Sequence, residues 1–116
     1  MTREQVITIV NQYIDAVKTR QFERLPFSDT ITFQGPLHRK PLEGREAVEK
    51  FLHRITPVIE DIQITRYVVD GNDVFITLDY VTRFGDVVKI ADYVRIEQGE
   101  IVHIRPYFDP KPLLRT

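Results

Sequence analysis

The chain has no cysteine among its 116 residues. That excludes a disulfide framework, a thiolate nucleophile and any cysteine-ligated zinc or iron–sulfur site, and with them redox chemistry by the chain itself. Surplus charge is missing too: 16 Lys and Arg stand against 17 Asp and Glu, for a formal net charge of −1. Without the basic excess that drives phosphate binding by counterion release, nucleic acid is not an expected partner. No apolar run reaches the ~18–20 residues that a bilayer span requires. Residues 1–20 carry a periodic polar pattern in place of a signal-peptide core, so a soluble cytoplasmic protein is expected. What is present, 42% hydrophobic residues with mixed charge, fits one globular domain over residues 1–116.

The apolar residues Val6, Ile9, Val10, Tyr13, Ile14 and Val17 recur at i, i+3, i+4 and i+7, the spacing of one helical face. Thr2 with Gln5 three residues later reads as a capping box at the start of that helix. A turn around Phe22 to Phe27 leads to an alternating strand over 29–34, which Gly35-Pro36 ends. Leu37 to Glu43 reads as loop, and Gly44 opens a second helix with Val48, Phe51, Leu52 and Ile55 on one face, limited by Pro57. Four β-rich runs follow over 61–70, 73–84, 87–98 and 100–108, separated by glycine-containing turns. Helix, strand, helix and a four-stranded meander predict an α+β fold with the helices on one face of a mainly antiparallel sheet. Apolar residues of both parities in the 73–84 run, Val74, Ile76, Leu78 and Tyr80 against Phe75 and Val81, imply that the sheet back is covered by a second copy, as a homodimer.

Two positions break the packing pattern. In the 87–98 run the even residues Val88, Ile90, Val94 and Ile96 are apolar, so their parity faces the core, and Asp92 falls among them. A carboxyl there is either paired, hydrogen-bonded or protonated in a cavity wall, or else turned to solvent by a bulge. Tyr13 lies on the apolar stripe of the first helix, as ordinary core packing or as the phenol that partners Asp92. Together, a protonated Asp and a Tyr hydroxyl in an apolar cavity are donors able to stabilise an oxyanion such as a dienolate. His38, in the loop after the first strand, is either a solvated histidine or a base at the cavity mouth. His38, His53 and His103 have no metal-ligand spacing and the lone serine, Ser28, no nucleophile-elbow context, so no metal, cofactor or serine nucleophile is expected.

The stretches Gln12-Tyr13-Ile14-Asp15-Ala16-Val17, Ser28-Asp29-Thr30-Ile31-Thr32-Phe33, Leu42-Glu43-Gly44-Arg45-Glu46-Ala47-Val48 and Ile104-Arg105-Pro106-Tyr107-Phe108-Asp109-Pro110 carry a family resemblance. The chain resembles the SnoaL-like and ketosteroid isomerase-like branch of the nuclear transport factor 2-like superfamily over nearly its whole length. The resemblance implies a cone-shaped α+β fold, helices packed on a curved sheet around an internal pocket. It matches Tyr13 to the isomerases' oxyanion-hole tyrosine and Asp92, three residues before Arg95, to their protonated aspartate. Where those enzymes place their proton-shuttling aspartate this chain has Gln34, and an amide cannot accept and return a proton at neutral pH. The limonene epoxide hydrolases' charged relay has Thr77 and Pro106 at two of its positions, whereas the acid of SnoaL-type cyclases has a counterpart in Asp109, on the strand parity that faces away from the pocket. The expected function is binding of a small hydrophobic ligand in a pocket lined by Tyr13, Phe33, Phe51, Asp92, Ile104 and Phe108. Isomerase, cyclase or dehydratase chemistry would use Tyr13 and Asp92 as donors and Asp109 or His38 as base; the alternative is a non-catalytic ligand-binding or dimerisation module.

Overall fold

A computed structural model describes residues 1–111. Helix α1 (Arg3–Thr19) follows the apolar stripe, with Val6, Val10, Tyr13, Ile14 and Val17 buried. Its capping box is in place: the Gln5 N–H donates to Thr2 Oγ1 at 3.1 Å and the Thr2 N–H to Gln5 Oε1 at 2.8 Å. The chain then passes through a 3-10 turn at Phe22–Arg24 into strand β1 (Phe27–Phe33). The region expected as pure loop contains a two-residue strand, β2 (Leu42–Glu43), which pairs antiparallel with the end of β1.

Helix α2 (Arg45–Ile55) begins at Gly44, whose φ of +92° is open to glycine but strained for other residues. Arg45 ties this start to β1, because its guanidinium donates to the Phe27 and Leu25 carbonyls at 2.9 and 3.0 Å and its Nε to Glu49 at 2.8 Å.

The meander forms as β3 (Ile59–Asp70), β4 (Asp73–Thr82), β5 (Val87–Glu97) and β6 (Glu100–Tyr107). The spatial order is β2-β1-β6-β5-β4-β3, with β1 parallel to β6 and the other pairs antiparallel. Two helices on one curved, open sheet confirm the α+β expectation. Val74, Ile76 and Leu78 of β4 and Val94 and Ile96 of β5 pack beneath α1 and α2 in one core. Burial alternates along β5 without interruption through residue 92, so no bulge turns that side chain outward. A register shift does occur where Arg95 and Ile96 meet β6. It puts both Ile101 and Ile104 inward and leaves Val102 partly exposed, which breaks the strict alternation of a regular strand.

Candidate functional site

Asp92 is 1% exposed. Its neighbours across the ladder are Ile76 on β4 and Pro106 on β6, so the sheet itself offers the carboxyl no polar partner. From α1, the Tyr13 hydroxyl donates to Asp92 Oδ2 at 3.2 Å, joining residues 79 apart in sequence. The other oxygen, Oδ1, is buried with no hydrogen-bond partner. Burial pushes the Asp92 carboxyl up to about 7, with the Tyr13 hydrogen bond opposing it. Because Tyr13 spends its one proton on Oδ2, a proton held by Asp92 belongs on Oδ1, free to be donated. The Tyr13 phenol is itself raised well above its ordinary value, first by burial and then by the Asp92 charge.

A cavity of about 30 Å³ adjoins this pair. Its walls include Tyr13 and Asp92, Phe33 at the end of β1, Phe51 and Ile55 on α2, Tyr80 on β4 and Phe108 after β6. That volume holds about one or two water molecules, so side chains fill most of the space between helices and sheet. Tyr80 is the residue that sequence reasoning missed. It is 9% exposed, its hydroxyl has no hydrogen-bond partner among the described residues, and burial and the Asp92 charge raise its pKa. The signal was legible: Tyr80 shares the inward parity of Val74, Ile76 and Leu78, the same argument that singled out Tyr13.

His38 also reaches the cavity, contrary to its solvated reading, because a turn fixes it. The His38 N–H donates to the Gly35 carbonyl at 3.1 Å, and the Gly35 N–H donates to His38 Nδ1 at 3.2 Å. The ring stacks edge-on against Phe33 and Phe51, with centroids 5.9 and 4.6 Å away. Burial, then the Arg54 charge, lowers its pKa, which favours neutral imidazole. With Nδ1 accepting from Gly35, the ring proton sits on Nε2, an atom that is buried and unpartnered. In this tautomer His38 offers the cavity a donor and has no lone pair there to act as base.

Asp109 lies outside the cavity, exposed, and accepts from the Lys111 N–H at 3.0 Å. Ile104 is fully buried in the core and contributes no cavity wall, so of the four apolar residues expected there Phe33, Phe51 and Phe108 are present. Gln34 follows β1, and its N–H donates to the Ile104 carbonyl. His53 packs against Phe22, and His103 Nδ1 bonds Thr32 on the outer face of the sheet. Among the described residues no group of three or more His, Asp or Glu side chains is placed to hold a metal ion, and no helix is long and apolar enough to cross a membrane.

A family model described as "Domain of unknown function (DUF4904)" matches residues 1–116. No curated protein matches the chain. Among solved structures, a de novo designed protein with a curved β-sheet superimposes with a TM-score of 0.85 at 24% identity, covering 96% of this chain and 90% of that one. An NTF2-like protein of unknown function from Cytophaga hutchinsonii gives 0.78 at 24% identity over 95% of each chain. A putative ketosteroid isomerase from Kribbella flavida gives 0.81 at 14% identity, over 91% of this chain and 78% of that one. At such identities the likeness is one of fold, the nuclear transport factor 2-like α+β architecture.

Proposed function

The chain belongs to the family described as domain of unknown function (DUF4904), and from the cavity beside Asp92 we propose that it binds a small hydrophobic molecule there. The ligand's polarisable oxygen accepts the proton of Asp92 Oδ1, while Tyr13 holds the carboxyl from behind and Tyr80 adds a second hydroxyl nearby. One observation carries the reading: a carboxyl sealed among apolar side chains keeps one oxygen unpartnered in a cavity wall. Leaving a buried polar atom unpaired costs about 1–3 kcal/mol, which a ligand acceptor would recover. Since the cavity is smaller than a ring, a ligand enters by displacing the exposed Leu37 and partly buried Phe108 at its edge.

The test uses an acceptor-only probe, 4-propylcyclohexanone, titrated into wild type and Asp92→Asn. Wild-type affinity is expected to fall several-fold as pH rises through about 7, where the Asp92 carboxyl gives up the proton it donates. Asp92→Asn should show no such dependence. Wild-type binding that is flat with pH would remove Asp92 from the site.

A second reading, proton-transfer catalysis of the isomerase, cyclase or dehydratase kind, is favoured by the poise of Asp92 near neutrality. Against it stand Gln34 in place of an acid and the His38 tautomer. Exchange of the ketone's α-hydrogens for solvent deuterium decides: acceleration by wild type and not by Asp92→Asn supports turnover, and exchange at the uncatalysed rate leaves a binding module. For assembly we propose a homodimer through the outer sheet face, where Phe75 is 47% and Tyr107 53% exposed.

A further inference from the structure

The cavity is apolar and its groups, Asp92 Oδ1, His38 Nε2–H and the Tyr80 hydroxyl, are hydrogen-bond donors when Asp92 is protonated. Asp92 is the one acidic side chain among the described residues that line it. Outside, exposed cations stand beside the His38 and Phe51 walls, and the exposed Asp109 follows Phe108. Arg54 sits one helical turn beyond Phe51, with its guanidinium carbon 5.6 Å from the centre of the Phe51 ring, and the other contacts of that ring run to His38 and Phe33 inside the cavity. Exposed Arg39 and Lys40 follow His38 directly in the chain.

Arg54, Arg39 and Lys40 form no ion pair with any described residue, a state they share with most other surface cations, so it is its place over the cavity's Phe51 wall that sets Arg54 apart. On α2 the charges are segregated: Lys50 and Arg54 border a surface groove with Phe51, while Glu46 and Glu49 border another with Arg45. An apolar slot lined by donors, with unpaired positive charge beside its aromatic wall, selects for acceptors and for negative charge.

We propose that the ligand is a small apolar carboxylic acid. Its body fills the slot, its carbonyl or ether oxygen meets Asp92, and its carboxylate pairs with Arg54 outside the Phe51 ring. This rests on the reading of the cavity as a ligand site and names the class of molecule it takes. Arginine suits the task, since its planar guanidinium both stacks on the ring and presents paired N–H donors to a carboxylate.

A matched pair of probes tests it at pH 6, where the acid is ionised: 4-propylcyclohexanone, and 3-(4-oxocyclohexyl)propionate, which adds a carboxylate to a similar body. Wild type is expected to bind the acid roughly three- to tenfold more tightly at low salt, with the preference shrinking as ionic strength rises past ~0.15 M. Arg54→Gln should abolish the preference, read as the ratio of acid to ketone affinity within the same variant, and Arg54→Lys should keep part of it. Equal wild-type affinity for the two probes, or a preference that survives in Arg54→Gln, would overturn the proposal while the cavity reading stands. Failure of both probes to bind would overturn the two together.

Discussion

At the scale of single residues, Asp92 makes the protein's stability depend on pH with an unusual sign. An aspartate in an unfolded chain ionises near 3.9, whereas in the fold it does so at about 7. Between those values the folded state holds the extra proton, so Asp92 favours folding at low pH and this contribution is lost as pH rises from about 4 to about 7. Asp92→Asn, which keeps shape and polarity without a charge to bury, should therefore gain stability over wild type by roughly 2–4 kcal/mol between pH 4 and pH 8. Urea denaturation of both proteins at the two pH values reads it directly. Asp61 and Asp73, whose carboxyls are held below their ordinary range by hydrogen bonds led by Lys18 and Tyr93 respectively, act in the opposite sense and cancel in the difference. Tyr13→Phe should raise the Asp92 pKa further, because it deletes the one hydrogen bond that favours the ionised form. Asp92 was legible in the sequence because one polar residue in an apolar parity is conspicuous. For His38 the sequence left the cavity mouth and solvent both open, since its placement depends on a Gly35 N–H reaching a ring nitrogen, which no residue pattern announces.

At the scale of elements, the junction of β1 and α2 shapes the cavity's floor and mouth. Gly44 holds φ +92° and donates its N–H to the Ile31 carbonyl at 2.8 Å. A Cβ at that position would approach nothing closer than the Asp29 carbonyl oxygen at 3.8 Å, so the cost of a side chain there is backbone strain and not collision. Gly44→Ala should lose roughly 1–3 kcal/mol of stability with little change in packing, as chemical denaturation would show. Both helices and the four-stranded meander follow from periodicity and turn residues, which are local signals. The parallel pairing of β1 with β6 and the register shift that turns both Ile101 and Ile104 inward are contacts between distant segments, and alternation along one strand carries no information about either.

At the scale of the molecule, the curved sheet presents a concave face to the helices and a convex one with Val68, Phe75 and Tyr107 exposed, the Phe75 ring centre 5.0 Å from that of Tyr93. Sedimentation at micromolar concentration should give the mass of a dimer, and Phe75→Glu should give that of a monomer with unchanged circular dichroism. A monomeric wild type would leave those side chains to another partner. The cavity lies on the opposite face, so loss of the dimer should not move the Asp92 titration.

The account turns on a buried acid that keeps its proton near neutrality. Carbon-13 NMR of the Asp92 side-chain carboxyl, titrated from pH 3 to pH 10 and assigned through Asp92→Asn, measures that property without reference to any ligand. A midpoint near 7, rising in Tyr13→Phe, is the predicted result. A midpoint near 4, the value of a solvated aspartate, would contradict it.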